Sequence, residues 1–134
     1  MEAQLAHYQH KLAYEMDSAD LYDAVQSGAG LIIIDARKPA AHAAEHIPGA
    51  ISFSHRLMTE ESTRALDKSK LYVTYCDGIG CNASTKGALK LMQLGFQVKE
   101  LLGGIDWWKR DGYATQGQAA PLPADAEADV TCSC

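Results

Sequence analysis

Along this chain, short runs of β-branched and aromatic residues alternate with stretches whose apolar positions recur every three or four residues. Continuous apolar runs of four to eight residues mark buried strands, and the longer spacing marks helices with one inward face. The first dozen residues carry Leu5, Tyr8 and Leu12 at helical spacing and predict a short amphipathic helix. In "MDSADLYDAVQSG", Asp17 or Ser18 caps a second helix that turns Leu21, Tyr22 and Val25 inward and stops at Gly28. "LIIID" then predicts a strand buried on both faces. A short helix is expected near Pro39 to Ala44, a second strand in "AISF", and a helix in "MTEESTRAL" capped by Thr59. "KLYVTY" reads as the third strand, "STKGALKLMQLG" as a helix ended by Gly95, "QVKELL" as the fourth strand and "GGIDWWKRDGY" as a last helix. From about Ala114 the chain turns to Ala, Gly, Gln, Pro and Asp, which predicts a flexible tail ending in "CSC".

Strands alternating with helices imply an α/β fold, three layers deep, with a central, mostly parallel sheet flanked by helices. At 134 residues the chain fits one domain whose core needs no disulfides. The boundaries expected are a helical extension over 1–15, the domain over 16–113 and the tail over 114–134. No apolar run approaches the roughly 20 residues that span a bilayer, and the N-terminus has neither a basic leader nor an apolar signal core. Cytoplasmic residence without a membrane partner is the expectation. The net charge is −5 with both signs interspersed, so no basic stripe is available to a phosphate backbone and nucleic acid is not expected as a partner. Cysteines stand at 76, 81, 132 and 134, too few and too clustered for a disulfide framework. They are expected to be reduced thiols, inert or chemically employed.

In a parallel sheet, ligands bind at the carboxyl ends of the strands. Cys76 stands at that end of "KLYVTY", and the stretch "CDGIGCNAS" leads from it through two glycines into a helix start. Successive backbone N–H groups of such a turn, with the helix dipole behind them, form a concavity for an anion. A thiol there should ionise more readily than a free one. A buried structural cysteine is the plainer alternative.

Four segments in register, "IIIDAR", "HIPGAI", "VTYCDGIG" and "LLGGIDWWKRDGY", resemble the single-domain rhodanese family over about Met16 to Tyr113. The resemblance implies a small α/β fold and a sulfurtransferase that moves a sulfane sulfur through a persulfide on the loop cysteine, here Cys76. It implies that Asp35, Arg37 and the turn from His46 to Ala50 are supporting elements near the site. No cofactor and no metal are implied. Persulfide chemistry needs a thiolate and then N–H donors around the Cys–S–S⁻ group. The amides of Gly78, Ile79, Gly80, Cys81 and Asn82 would supply those donors, with the helix turn at Ala83 and Ser84 adding its dipole.

The loop departs from the family pattern in its charge. Where many rhodaneses close a shorter loop with Arg or Lys, this one has no cation, carries Asp77 and places Cys81 and Asn82 near the expected basic position. Thiosulfate is therefore disfavoured as donor, and phosphatase chemistry lacks the Arg that clamps phosphate. Cys81 has two readings: it resolves the persulfide as a disulfide partner, or it fills space beneath the loop. The pair with Cys76 lacks the further ligands that zinc requires. Lys86 reads as a solvated lysine, Asp35 and Arg37 as partners of each other or caps of neighbouring groups rather than catalytic residues, and His46 as a turn anchor rather than a proton carrier. Of the two tryptophans, one of Trp107 and Trp108 should enter the core and the other lie near the site mouth. His7, His10, His42 and His55 read as surface residues. Cys132 and Cys134 have three readings: a thiol relay on a flexible tether, an incidental exposed pair, or a soft-metal site shared with another chain.

Two functions follow. The first is an enzyme passing sulfur from a persulfide or thiosulfate-like donor, small or protein-borne, to a thiol or cyanide acceptor. The second is a non-catalytic rhodanese-like module that binds a partner or senses redox state.

Overall fold

The computed structural model describes residues 1–121. Its elements run α1 (Glu2–Tyr14), β1 (Glu15–Met16), α2 (Ser18–Gln26), β2 (Ile32–Asp35), α3 (Pro39–Ala44), β3 (Ile51–Ser52), β4 (Leu71–Tyr75), α4 (Ala83–Gln93), β5 (Gln97–Leu101) and α5 (Gly104–Arg110). A 3₁₀ turn at His55–Leu57 precedes β4. The five strands form one sheet in the order β1-β5-β4-β2-β3, every pairing parallel.

The two central strands explain the rest. β2 and β4 pair in register, Ile33 with Val73 and Asp35 with Tyr75, and their side chains alternate between faces. Ile33, Val73 and Tyr75 face α2 and α5, where they pack with Leu21, Ile47, Leu101, Ile105 and Trp108. Ile34 and Tyr72 face α4 and pack with Met58, Leu91, Phe96 and Val98. Each fully buried aliphatic side chain of this kind contributes about 1.5–3 kcal/mol. Continuous apolar strands are what such two-sided burial selects.

Several local expectations fail for identifiable reasons. A fifth strand, β1, joins the sheet edge beside β5, too short and too polar to carry a pattern. "MTEESTRAL" forms a run of turns instead of a helix. There Thr59 Oγ1 does accept the Ser62 N–H at 3.0 Å, but Ser62 Oγ donates to the Leu57 carbonyl and Thr63 Oγ1 to the Thr59 carbonyl, at 2.6 and 2.7 Å. Hydroxyls that take the carbonyls compete with the helix ladder. Helix α1 has no buried residue, so its Leu5, Tyr8 and Leu12 stripe stays exposed. In α2, Leu21 enters the core and Tyr22 stacks on Tyr113, but Val25 remains exposed. The chain also stays attached past Tyr113: Gln116 pairs with His46, and the N–H groups of Gln118 and Ala119 donate to the carbonyls of Ala43 and Ala44. Cys132 and Cys134, with the rest of the tail from 122, lie outside the described residues. No helix of the described residues is long and apolar enough to cross a membrane.

Candidate active site

Cys76 follows directly on β4, between β2 and β5, and is 1% exposed. The first turn of α5 grips its backbone: the N–H of Ile105 donates to the Cys76 carbonyl at 3.0 Å and that of Asp106 to the Asp77 carbonyl at 2.9 Å. This approach explains the glycine pair of "LLGG". Gly103 and Gly104 both have positive φ, and a Cβ on Gly104 would collide with the Cys76 carbonyl oxygen. The same contact puts Asp106 beside Gly78, where an added Cβ would lie 3.3 Å from the Asp106 Cβ. Trp108 is buried and donates through Nε1 to the Ala114 carbonyl, whereas Trp107 stays half exposed.

Beneath the loop lies a buried charge cluster. Asp35 receives Arg37 Nε at 2.9 Å and Nη2 at 2.8 Å, and the Tyr75 hydroxyl at 3.0 Å. His42 Nδ1 lies 3.0 Å from the same carboxylate. The remaining guanidinium donors reach Asp77 Oδ1 at 3.2 Å and the Glu45 carbonyl at 2.6 Å. Burial raises the Asp35 pKa, but the hydrogen bonds and charge of Arg37 outweigh it and hold the carboxyl below its ordinary value. Burial likewise lowers Arg37, and Asp35 reverses the sign and drives it up. Tyr75 is pushed far up by burial and by the neighbouring carboxylate. Its hydroxyl also accepts the Ile47 N–H at 3.1 Å, which ties the "HIPGA" turn to the sheet end. His46 anchors that turn by donating Nδ1–H to the His42 carbonyl at 2.7 Å.

Asp35 and Arg37 thus pair with each other, as their spacing suggested, and Arg37 also holds Asp77. The acid of the loop is therefore buried and neutralised, turned away from open solvent. His42, read from sequence as a surface residue, belongs to this cluster. Tyr75 was missed altogether, because a strand tyrosine gives no sign of what its hydroxyl will reach. Glu100 was missed for the same reason. It projects from β5 and accepts the hydroxyls of Ser84 at 3.2 Å and Thr85 at 2.5 Å.

Around the sulfur the expectation of easy ionisation fails. Cys76 Sγ faces two carbonyl oxygens, of Cys81 at 3.1 Å and Gly78 at 3.7 Å. Burial pushes its pKa up to about 11 and the neighbouring Cys81 thiol adds to the rise, against the backbone groups of Gly78 and Ser84, which pull it down. Desolvation costs the anion more than the amides return. The Ser84 hydroxyl lies 4.0 Å from the sulfur, within reach as a donor. Ile79 is 86% exposed, and Asn82 makes no side-chain cap on α4. Among the described residues no three His, Cys, Asp or Glu side chains assemble at metal-binding distance.

The family model of the Rhodanese-like domain matches residues 17–111. A protein of known structure from Bacillus halodurans is 42% identical, over 89% of this chain and 88% of its own, with a TM-score of 0.84. A rhodanese-like domain from Anabaena sp. is 27% identical over 89% of this chain and 91% of its own, with a TM-score of 0.69. Thiosulfate sulfurtransferase from Pseudomonas aeruginosa shares the fold, at 24% identity and a TM-score of 0.66, over 80% of this chain and 20% of that one. No curated protein matches.

Proposed function

The chain belongs to the rhodanese-like family, and from that premise we propose that it is a sulfurtransferase carrying a sulfane sulfur as a persulfide on Cys76. The observation that carries this reading is the position of Cys76 itself: a buried thiol at the carboxyl end of a central strand, at the head of a loop that runs into a helix N-terminus. In the forward step the Cys76 thiolate attacks the outer sulfur of a donor R–S–S⁻, the donor S–S bond breaks, and RS⁻ leaves with a proton from the medium. In the second step an acceptor thiolate attacks the terminal sulfur of Cys76–S–S⁻, and the Cys76 thiolate is released.

The raised thiol fits a resting enzyme that stays inert until a donor displaces the Cys81 carbonyl from Sγ. A persulfide is more acidic than its parent thiol, so charge develops one sulfur further out, toward the backbone of Gly78 to Asn82 and the hydroxyl of Ser84. Ser84 has one proton to give. In the resting state it goes to Glu100, and rotation about one bond redirects it to the anion.

Arg37, the cation nearest the loop in the buried cluster, is committed to Asp35 and Asp77. A dianion such as thiosulfate therefore gains little, and we assign donor and acceptor to the persulfide and thiol class, small or protein-borne, in the cytoplasm. The second reading, a non-catalytic binding or redox-sensing module, is favoured by the elevated thiol pKa.

Mass spectrometry separates the two readings. After incubation with glutathione persulfide, with the tail cysteines and Cys81 replaced by Ser, Cys76 should gain one sulfur atom. Cys76→Ser should carry none and lose on the order of a thousandfold in transfer to cyanide. Glutathione persulfide should exceed thiosulfate in kcat/KM. Absence of the sulfur adduct leaves the binding module standing.

A further inference from the structure

Sulfur transfer as described leaves the thiol of Cys81 unused. The loop nevertheless brings this residue back to the reacting sulfur. A turn closed by the Cys81 N–H on the Gly78 carbonyl, at 3.2 Å, folds residue 81 over residue 76. Its carbonyl then lies 3.1 Å from Cys76 Sγ. Both cysteines are reduced, Cys76 buried and Cys81 half exposed. Asp77 and Gly78 are held against Arg37 and α5, but the apex of the loop is lightly packed: a Cβ on Gly80 would meet nothing within 4 Å, and Ile79 is 86% exposed. Such a span can rearrange and bring two Cα atoms within the roughly 4.4–6.8 Å that a disulfide requires. The loop itself contains no cation to hold a persulfide anion for long.

We propose that Cys81 resolves the Cys76 persulfide, releasing sulfide and leaving a Cys76–Cys81 disulfide; this rests on the sulfurtransferase reading above. The Cys81 thiolate attacks the Cys76 sulfur. The bond between that sulfur and the sulfane sulfur breaks, and the sulfane sulfur leaves with the proton that Cys81 gave up, as HS⁻. The sulfane sulfur is reduced to sulfide while two cysteine sulfurs are oxidised to the disulfide, so no outside oxidant enters. A dithiol reductant, small or protein-borne, then reopens the disulfide by exchange and restores both thiols. The protein thereby has two outlets for one intermediate. An acceptor thiol takes the terminal sulfur, or Cys81 expels it as sulfide. A thiol tethered by so short a loop acts at an effective concentration of about 1 mM or more, so at roughly 0.1 mM acceptor the internal route is about tenfold faster.

The experiment uses the full chain with Cys132 and Cys134 changed to Ser, so that Cys76 and Cys81 are the remaining thiols. Glutathione persulfide is added in slight excess without reductant, and released sulfide and intact mass are followed together. The expected result is one sulfide per chain above the donor blank and a product lighter by two hydrogens, its disulfide mapped by proteolysis to Cys76 and Cys81. Adding Cys81→Ser should lower sulfide release about tenfold and leave the species one sulfur heavier, and Cys81→Ala should do the same. Accumulation of the persulfide at equal level with and without Cys81, with no excess sulfide, overturns the resolving role but leaves sulfur transfer intact. Failure of Cys76 to take up sulfur in both Cys81 variants overturns the resolving role and the sulfurtransferase reading together.

Discussion

At the carboxyl end of β2, Asp35 is surrounded by donors from Arg37, Tyr75 and His42. At the carboxyl end of the neighbouring β4, Cys76 faces two carbonyl oxygens under a loop whose apex is exposed. Both strands are interior to the sheet and both sites are almost wholly buried, yet one is saturated with donors and the other faces its sulfur with acceptors, which disfavour a thiolate. Under the proposed function, the contrast separates scaffold from reagent. A buried charge with every partner in place holds a single arrangement, whereas a neutral thiol under a loosely packed loop can change partners as its chemistry proceeds. Arg37 joins the two through Asp77, so the floor of the loop is fixed and its roof is free to move.

The largest effect should come from breaking the saturated end. Arg37→Met leaves Asp35 and Asp77 buried without their cation and should cost about 3–5 kcal/mol of unfolding free energy by urea titration. A loss under about 1 kcal/mol would show that the cluster is not what fixes the loop floor. At the mismatched end, Cys76 should react with iodoacetamide at neutral pH about a hundredfold more slowly than an ordinary thiol, its rate rising with pH toward about 11. Cys81→Ser should move that midpoint down, because the second thiol contributes to the rise. A midpoint near the ordinary thiol value would erase the contrast between the ends.

Acid sharpens the comparison further. The folded-state pKa of Asp35 is depressed, so its stabilisation is fully present above the ordinary carboxylate value and is lost as pH falls through the lower folded value. Wild-type stability should therefore drop steeply below about pH 4, and Asp35→Asn, less stable at neutral pH, should flatten that drop in urea titrations across pH 2.5–6. Parallel curves for the two proteins would place the acid sensitivity elsewhere. The smallest effect should be Ser84→Ala. Loss of one hydroxyl donor to the persulfide, about 1 kcal/mol, should slow transfer roughly fivefold while the thermal midpoint barely moves. An unchanged rate would assign Ser84 to holding Glu100 alone.

Much of the fold was legible because it rests on periodicities that sequence displays. "LIIID" and "KLYVTY" are apolar on both faces, so they had to be central strands, and the Cys76 loop could be located from the strand end and the helix start that flank it. What sequence did not display were groups whose partners lie far along the chain. Tyr75 reaches Asp35 across 40 positions, Glu45 takes Lys109 and Thr115 across 64 and 70, and Glu100 meets Ser84 across 16. In the Thr59 segment the hydroxyls that suggested a cap went on to take the carbonyls a helix needs. The ionisation of Cys76 was misjudged because amide donors and a helix start can be read from sequence, while the depth of burial and the direction of the loop carbonyls cannot.

The sequence by itself determined an α/β chain with a cysteine at the end of a central strand, a loop without a cation, and a glycine pair where the last helix begins. These follow from local periodicity, residue type and order, each of which acts over a few positions. Only the tertiary structure decided that Arg37 spends its charge on Asp35 and Asp77, that burial pushes the Cys76 thiol pKa up, and that Cys81 returns to its side. Those outcomes depend on desolvation and on the directions of single N–H and C=O groups, and both are set when distant segments pack around the sulfur.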